Sequence, residues 1–251
     1  MRLADLLRHL SEFLAVAAVP DVQPNGLQVE GKHEVRRIAT GVTACEELFQ
    51  RAAEAQADAV LTHHGLLWEG QLKVIAGPHR RRLKLLLDHD MSLLSYHLPL
   101  DMHPEVGNNA VAARDLGLQG LLPFGSFNGM PVGVMGSLQP AMPRSAFLAR
   151  LAQYYGQQPL AFLHGRDPLA RVGIVSGSGQ GSLEEAVAAG LDLLVTGEVR
   201  EQTLHTAKEF GINFAACGHH ATERVGVKAL GNHLATKFAV EHRFVDVPNP
   251  V

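Results

Sequence analysis

Cysteine is scarce in this chain: two residues, Cys45 and Cys217, among 251. They form no Cys-x-x-Cys metal pattern and no disulfide framework, so a reducing compartment, the cytoplasm, is expected. Long apolar runs are missing too. None approaches the roughly 20 residues that span a bilayer. The N-terminal stretch Leu3–Leu10 is broken by charges at helical spacing, which fits an amphipathic helix rather than a signal peptide. A surplus of positive charge is absent as well, and a net charge of −3 advertises no nucleic-acid groove. The remaining balance, 46% apolar and 19% charged, is that of a folded globular protein. The length allows one large or two ordinary domains.

Histidine, by contrast, is abundant, with fourteen residues. Three phrases concentrate it with carboxylates: Thr62-His63-His64-Gly65, His97-Leu98-Pro99-Leu100-Asp101 and His219-His220-Ala221-Thr222-Glu223. Imidazole and carboxylate together are the ligand set of a catalytic-type divalent metal such as zinc, iron or manganese. The phrases therefore point to a metal site, with more than one ion.

Helical and strand patterns alternate along the chain, which implies βαβ units and a mainly parallel or mixed sheet flanked by helices, an α/β fold. Helices are expected at Leu3–Ala17, Glu46–Ala55, Arg80–Asp88 and Asn109–Leu116. Strands are expected at Arg37–Val42, Ala59–Thr62 and Met91–Tyr96, and a loop at Pro20–Gly31. The second half repeats the plan with strands at Arg171–Gly177, Asp192–Gly197 and Ile212–Cys217. Ser182 to Glu185 reads as a capping box. Ile38–Gly41 can be laid on Ile174–Gly177, Asp58–His63 on Asp192–Gly197, and His97 and Asp101 on His219 and Glu223. An internal duplication follows, with related α/β domains at 1–122 and 123–251 and the C-terminal segment free to pack back on the first.

All three histidine phrases sit where a strand ends, and open parallel sheets bind ligands beyond those ends. Adjacent strand residues point to opposite faces, so His63 and His64 both serve only if the chain turns at Gly65 or two ions lie side by side. Asp101 and Glu223 can each bridge two cations. His219 and Glu223 share a face if the helix already begins at His219. His97 is open between a ligand, a residue beside the ligands and an oriented acid or base. Glu198 is open between a site-facing carboxylate and a helix-start charge. Gly177-Ser178-Gly179-Gln180-Gly181 reads as a phosphate cradle or a plain tight turn. Tyr96, Arg200 and Arg224 are candidate substrate contacts, Trp68 a candidate pocket wall, and His103 the one other histidine close to the site.

These phrases, with Gly26-Leu27-Gln28-Val29 and Gly107-Asn108-Asn109, resemble the Nif-three-like dinuclear metal-centre family, type 2 homologues of GTP cyclohydrolase I. The resemblance covers essentially the whole chain, in the short bacterial form. It implies His63, His64, Asp101, His219 and Glu223 as the metal ligands, holding two divalent ions per subunit (zinc, iron, manganese or nickel). It also implies two α/β domains, a ring-shaped homohexamer with the metal pairs facing inward, and hydrolysis of a nucleotide-like or phosphoester small molecule. His97 falls outside that ligand set and is expected to act catalytically, in proton transfer. The competing reading is a metal-binding, metal-delivery or scaffold protein without turnover.

Overall fold

A computed structural model describes residues 1–70 and 74–251. The chain forms two compact units, Met1–Val106 with Gly226–Pro248, and Gly107–Val225 with Asn249–Val251. The sequence reading divides the chain after residue 122, whereas Gly107 already belongs to the second unit.

The first unit is built on a five-stranded sheet. Its order is β1 (Gly26–Val29), β4 (Ser92–Ser95), β3 (Ala59–His64), β2 (Arg37–Thr43), β11 (Glu241–Phe244). β2, β3 and β4 run parallel, β11 joins β2 in parallel, and β1 closes the other edge antiparallel to β4. Alternation along the strands feeds both faces. Ile38, Leu61 and Leu94 pack with Leu3, Leu6 and Leu10 of α1 (Leu3–Phe13) and with Leu230 and Leu234 of the long helix α9 (His219–Phe238). Ala39, Val60 and Leu93 pack instead with Leu48, Phe49 and Ala52 of α2 (Glu46–Glu54) and Leu86 of α3 (Gly77–Asp88). Each leucine or phenylalanine fully buried in this way contributes about 1.5–3 kcal/mol relative to exposure. A short helix, α4 (Leu98–Asp101), follows β4.

The second unit holds a six-stranded sheet. Its order is β5 (Gln119–Phe127), β6 (Met130–Met142), β8 (Leu169–Val175), β9 (Leu193–Thr196), β10 (Asn213–Ala216), β7 (Leu160–Leu163). β8, β9 and β10 are parallel, and the rest is antiparallel. One face packs on α5 (Asn108–Asp115) and α6 (Arg144–Tyr155), through Ala112, Phe147 and Leu151. The other packs on α7 (Leu183–Ala188) and α8 (Thr203–Phe210), through Leu183, Ala186 and Ala207.

The two parallel triplets carry the same fastening. Asp58 at the foot of β3 accepts the backbone N–H groups of Arg36 and Arg37 at 2.9 and 3.0 Å. Asp192 at the foot of β9 accepts those of Ala170 and Arg171, both at 2.8 Å. These equivalences are consistent with an internal duplication.

Several sequence expectations change. The loop Pro20–Gly31 contains β1, a four-residue edge strand too short for a legible alternation. The first helix stops at Phe13, because Ala15 turns left-handed with φ of 50°. Ser182 does not cap α7. A 3₁₀ turn, Gly179–Ser182, runs straight into the helix, and Glu185 accepts the N–H groups of Gly125 and Ser126 instead. Among the described residues no helix is long and apolar enough to cross a membrane.

Burial opposes ionisation of Asp58, but the hydrogen bonds from Arg36 and Arg37 and from Lys32 outweigh it and hold the pKa below its ordinary value. A depressed folded-state pKa contributes stability above the unfolded carboxylate range, and the contribution is lost as pH falls through the folded value. Asp58→Asn is expected to cost about 1–3 kcal/mol at pH 7. The gap to wild type should close below about pH 4 in urea titrations across pH. A gap that stays constant with pH would show that the clamp does not depend on charge.

Candidate metal centre

The parallel strands end level with one another. Thr43 pairs with His64 across β2 and β3, and Thr62 with Ser95 across β3 and β4. Residues just past these ends therefore gather on one rim. His63, His64 and His97 each offer a ligand nitrogen there, all within 4.8 Å of one another. Asp101 joins them from α4, with Oδ2 3.5 Å from His63 Nε2. His63 is fully buried and Asp101 is 8% exposed.

Polar side chains from the loop before β1 and from β1 itself hold this rim in place. Gln23 Nε2 donates to His63 O at 3.0 Å and to Ser95 Oγ at 2.9 Å, while its Oε1 accepts the N–H of Gly65 at 2.9 Å. Gln28 Oε1 accepts the N–H of Leu66 at 2.8 Å. This is what turns the chain at Gly65 and lets adjacent His63 and His64 face one region, with ring centroids 4.8 Å apart. Asn25 Oδ1 accepts the N–H of His97 at 2.8 Å. Asp21 accepts His97 Nδ1 at 2.8 Å and the N–H of Leu98 at 2.9 Å. Its side chain is only 2% exposed. Burial would raise the Asp21 pKa, but His97, Asn25 and Leu98 outweigh it, so the carboxylate stays ionised below its usual range.

The second unit assembles a smaller group. α9 begins at His219, as the shared face of His219 and Glu223 requires. His219 Nε2 lies 3.1 Å from Glu223 Oε1, and its Nδ1 lies 2.6 Å from Glu198 Oε1. Burial alone would lower the His219 pKa, but the bonds and charges of Glu223 and Glu198 push it up to about 9. Glu223 is 3% exposed. Two carboxylates converging on one imidazole in a buried setting call for a positive charge, which a proton or a cation can provide.

The donor chemistry fits a divalent ion. Metal-bound histidines are typically oriented by an acceptor on the second ring nitrogen. Here Nδ1 of His63 meets Tyr96 O at 3.0 Å, Nδ1 of His64 meets Thr43 Oγ1 at 3.2 Å, and Nδ1 of His97 and His219 meet Asp21 and Glu198. The Nε2 atoms of His63 and His219 face carboxylate oxygens, Asp101 Oδ2 at 3.5 Å and Glu223 Oε1 at 3.1 Å.

Glu198 turns toward His219, whose Nδ1 it meets at 2.6 Å. Gly177-Gly181 is not an open cradle. Gly177 N donates to Thr222 Oγ1 at 3.0 Å, and Gly179 packs closely on Val175 and Thr196. Gly177 has φ of +61°, and a Cβ there would overlap Glu223 Oε1 and lie 3.2 Å from His219 Nε2. His97, which the family resemblance sets apart from the ligands, stands beside His63 and His64, its ring 4.9 Å from that of His63. Tyr96 is buried in the core, Arg224 bonds Tyr155 O, and His103 bonds Phe13 O. The contributions of Asp21, Gln23 and Asn25 have no sequence signal beyond a polar loop.

Gly177→Ala should strain the left-handed backbone by about 1–2 kcal/mol and displace Glu223. Thermal unfolding and elemental analysis check it. Metal content equal to that of the wild type would show that cation binding does not depend on the position of Glu223.

A family model described as Duf34/NIF3 (NGG1p interacting factor 3) matches residues 1–250. A Pseudomonas aeruginosa protein named "GTP cyclohydrolase 1 type 2 homolog" is 48% identical over 99% of this chain and 98% of its own length. A solved structure described as protein ybgI, of unknown function, superposes with a TM-score of 0.95 at 42% identity, covering all of both chains. The protein TTHA1606 from Thermus thermophilus gives 0.93 at 40% identity, again over both full chains.

Proposed function

Given that this chain belongs to the Duf34/NIF3 family, we propose that it is a dinuclear divalent-metal protein acting as a hydrolase on a nucleotide-like or phosphoester substrate. His63, His64, Asp101, His219 and Glu223 are the proposed ligands of two ions, drawn from zinc, iron, manganese or nickel. The observation that carries the reading is the set of imidazoles held at Nδ1, His63 by Tyr96 O, His64 by Thr43 Oγ1 and His219 by Glu198, with the Asp101 and Glu223 carboxylates beside the Nε2 atoms of His63 and His219. When bound, such a pair of ions supplies Lewis acidity and lowers the pKa of water. The relatives' name, type 2 homologue of GTP cyclohydrolase 1, motivates the nucleotide-like substrate.

In this reading the protein's own groups position and move protons. Asp21 fixes the tautomer of His97 by accepting Nδ1–H, so Nε2 can take a proton from water or return one to a leaving group. Glu198 does the same for the orientation of His219. Buried Asp101 and Glu223 supply the negative charge that offsets the cations. The proposal also places the protein in the cytoplasm as a homohexameric ring, which light scattering on the purified chain checks.

His97→Ala is expected to keep both ions by elemental analysis and to lose turnover by about 10²–10⁴-fold in a nucleotide and phosphoester screen. Asp21→Asn should keep the ions and lose about 10–100-fold. His219→Ala should lose metal. Stoichiometric metal loss from His97→Ala would make His97 a ligand. Two retained ions with no turnover on any substrate would favour the metal-binding or scaffold alternative over the hydrolase.

A further inference from the structure

A cavity of about 400 Å³ opens beside His64 in the first unit. Its wall includes Thr43, His64, Trp68, His79 and Arg82. This volume falls within the range of small-molecule sites. His79 and Arg82 stand three residues apart on α3, on one helical face. No aspartate or glutamate is among the described lining residues. The neighbouring Arg81 is already answered by Glu46 at 2.9 Å. On half-buried Arg82, the Nε is buried and has no hydrogen-bond partner among the described residues. A buried guanidinium donor left unpaired is unfavourable, and its planar fork matches the oxygens of a phosphate or carboxylate.

We propose that this cavity is an oxyanion subsite, in which Arg82 and His79 hold the phosphate of a phosphorylated small molecule. The inference rests on the hydrolase reading in one respect: the shared wall at His64 would then place the rest of that molecule against the metal ligands. Thr43, which accepts or donates to His64 Nδ1, also borders the cavity and joins the two regions. The role of Arg82 is to bind and orient, with no step in bond making.

The cavity carries its own reporter, because Trp68 is the single tryptophan of the chain. Its ring stands 5.9 Å from that of His64 and 5.3 Å from that of His97. The full-length protein, metal-loaded and chelated, is titrated with inorganic phosphate, read by Trp68 fluorescence and by calorimetry. Arg82→Gln should weaken binding about tenfold or more, the effect of removing a charged bidentate partner. Arg82→Lys should fall between, and Arg80→Gln, on an exposed position, should bind as wild type does. Metal content of every variant is measured in parallel. Phosphate affinity that is unchanged in Arg82→Gln, or no binding by wild type at millimolar phosphate, overturns the subsite. If Arg82→Gln does not fold, unchanged affinity in both Arg82→Lys and His79→Gln overturns it equally. Absence of metal from the wild type sinks the dinuclear reading, while Arg82-dependent phosphate binding by the chelated protein would leave the subsite standing.

Discussion

Backbone groups at the carboxyl ends of parallel strands have lost their ladder partners, and buried ones must find others. The candidate site depends on how this chain supplies them. In the first unit, Gln23 bonds His63 O, Ser95 Oγ and Gly65 N–H with one amide. Asn25 and Asp21 take the N–H groups of His97 and Leu98. In the second unit, Thr222 accepts the N–H of Gly177, and Asn109 Oδ1 accepts that of Ser176 at 2.7 Å. The same bonds that satisfy the strand ends also set the direction of the histidines that follow them.

A second constraint is electrostatic. Asp21, Asp101 and Glu223 are buried carboxylates, and burial of a charge is tolerated only with a partner. Asp21 answers it by gripping the Nδ1 of His97, as partly exposed Glu198 grips that of His219, which at once fixes a tautomer and raises the basicity of the opposite nitrogen. A cation, rather than a hydrophobic filling, is what such a set of donors accommodates. The glycine at 177 is part of the same constraint, since any Cβ would occupy the place of Glu223 Oε1.

Much of this is legible in the sequence. The βαβ rhythm locates the parallel triplet of each unit, because fully buried strands such as Ala59–His64 read as short apolar runs. The histidine phrases stand out because each pairs an unusual residue type with a strand end. The edge strands β1 and β11 are not legible: each has four residues and is half exposed, so its apolar pattern is weak. The Ser182 cap misleads because the spacing of Ser and Glu carries no information on the preceding backbone, which is already helical at Ser182. Asp21 is invisible as a site residue, since its partner His97 lies 76 positions away and nothing in the sequence around Asp21 marks it.

The amino-acid sequence by itself determined which elements form and which residue types gather at the strand ends, because periodicity and ligand chemistry are local properties. The tertiary structure decided which partner holds each imidazole at Nδ1, that His97 stands beside His63 and His64, and that Arg82 borders a cavity with no carboxylate among its described lining residues. These depend on hydrogen bonds between residues tens of positions apart, and such pairings come into being only when the sheet brings its strand ends level.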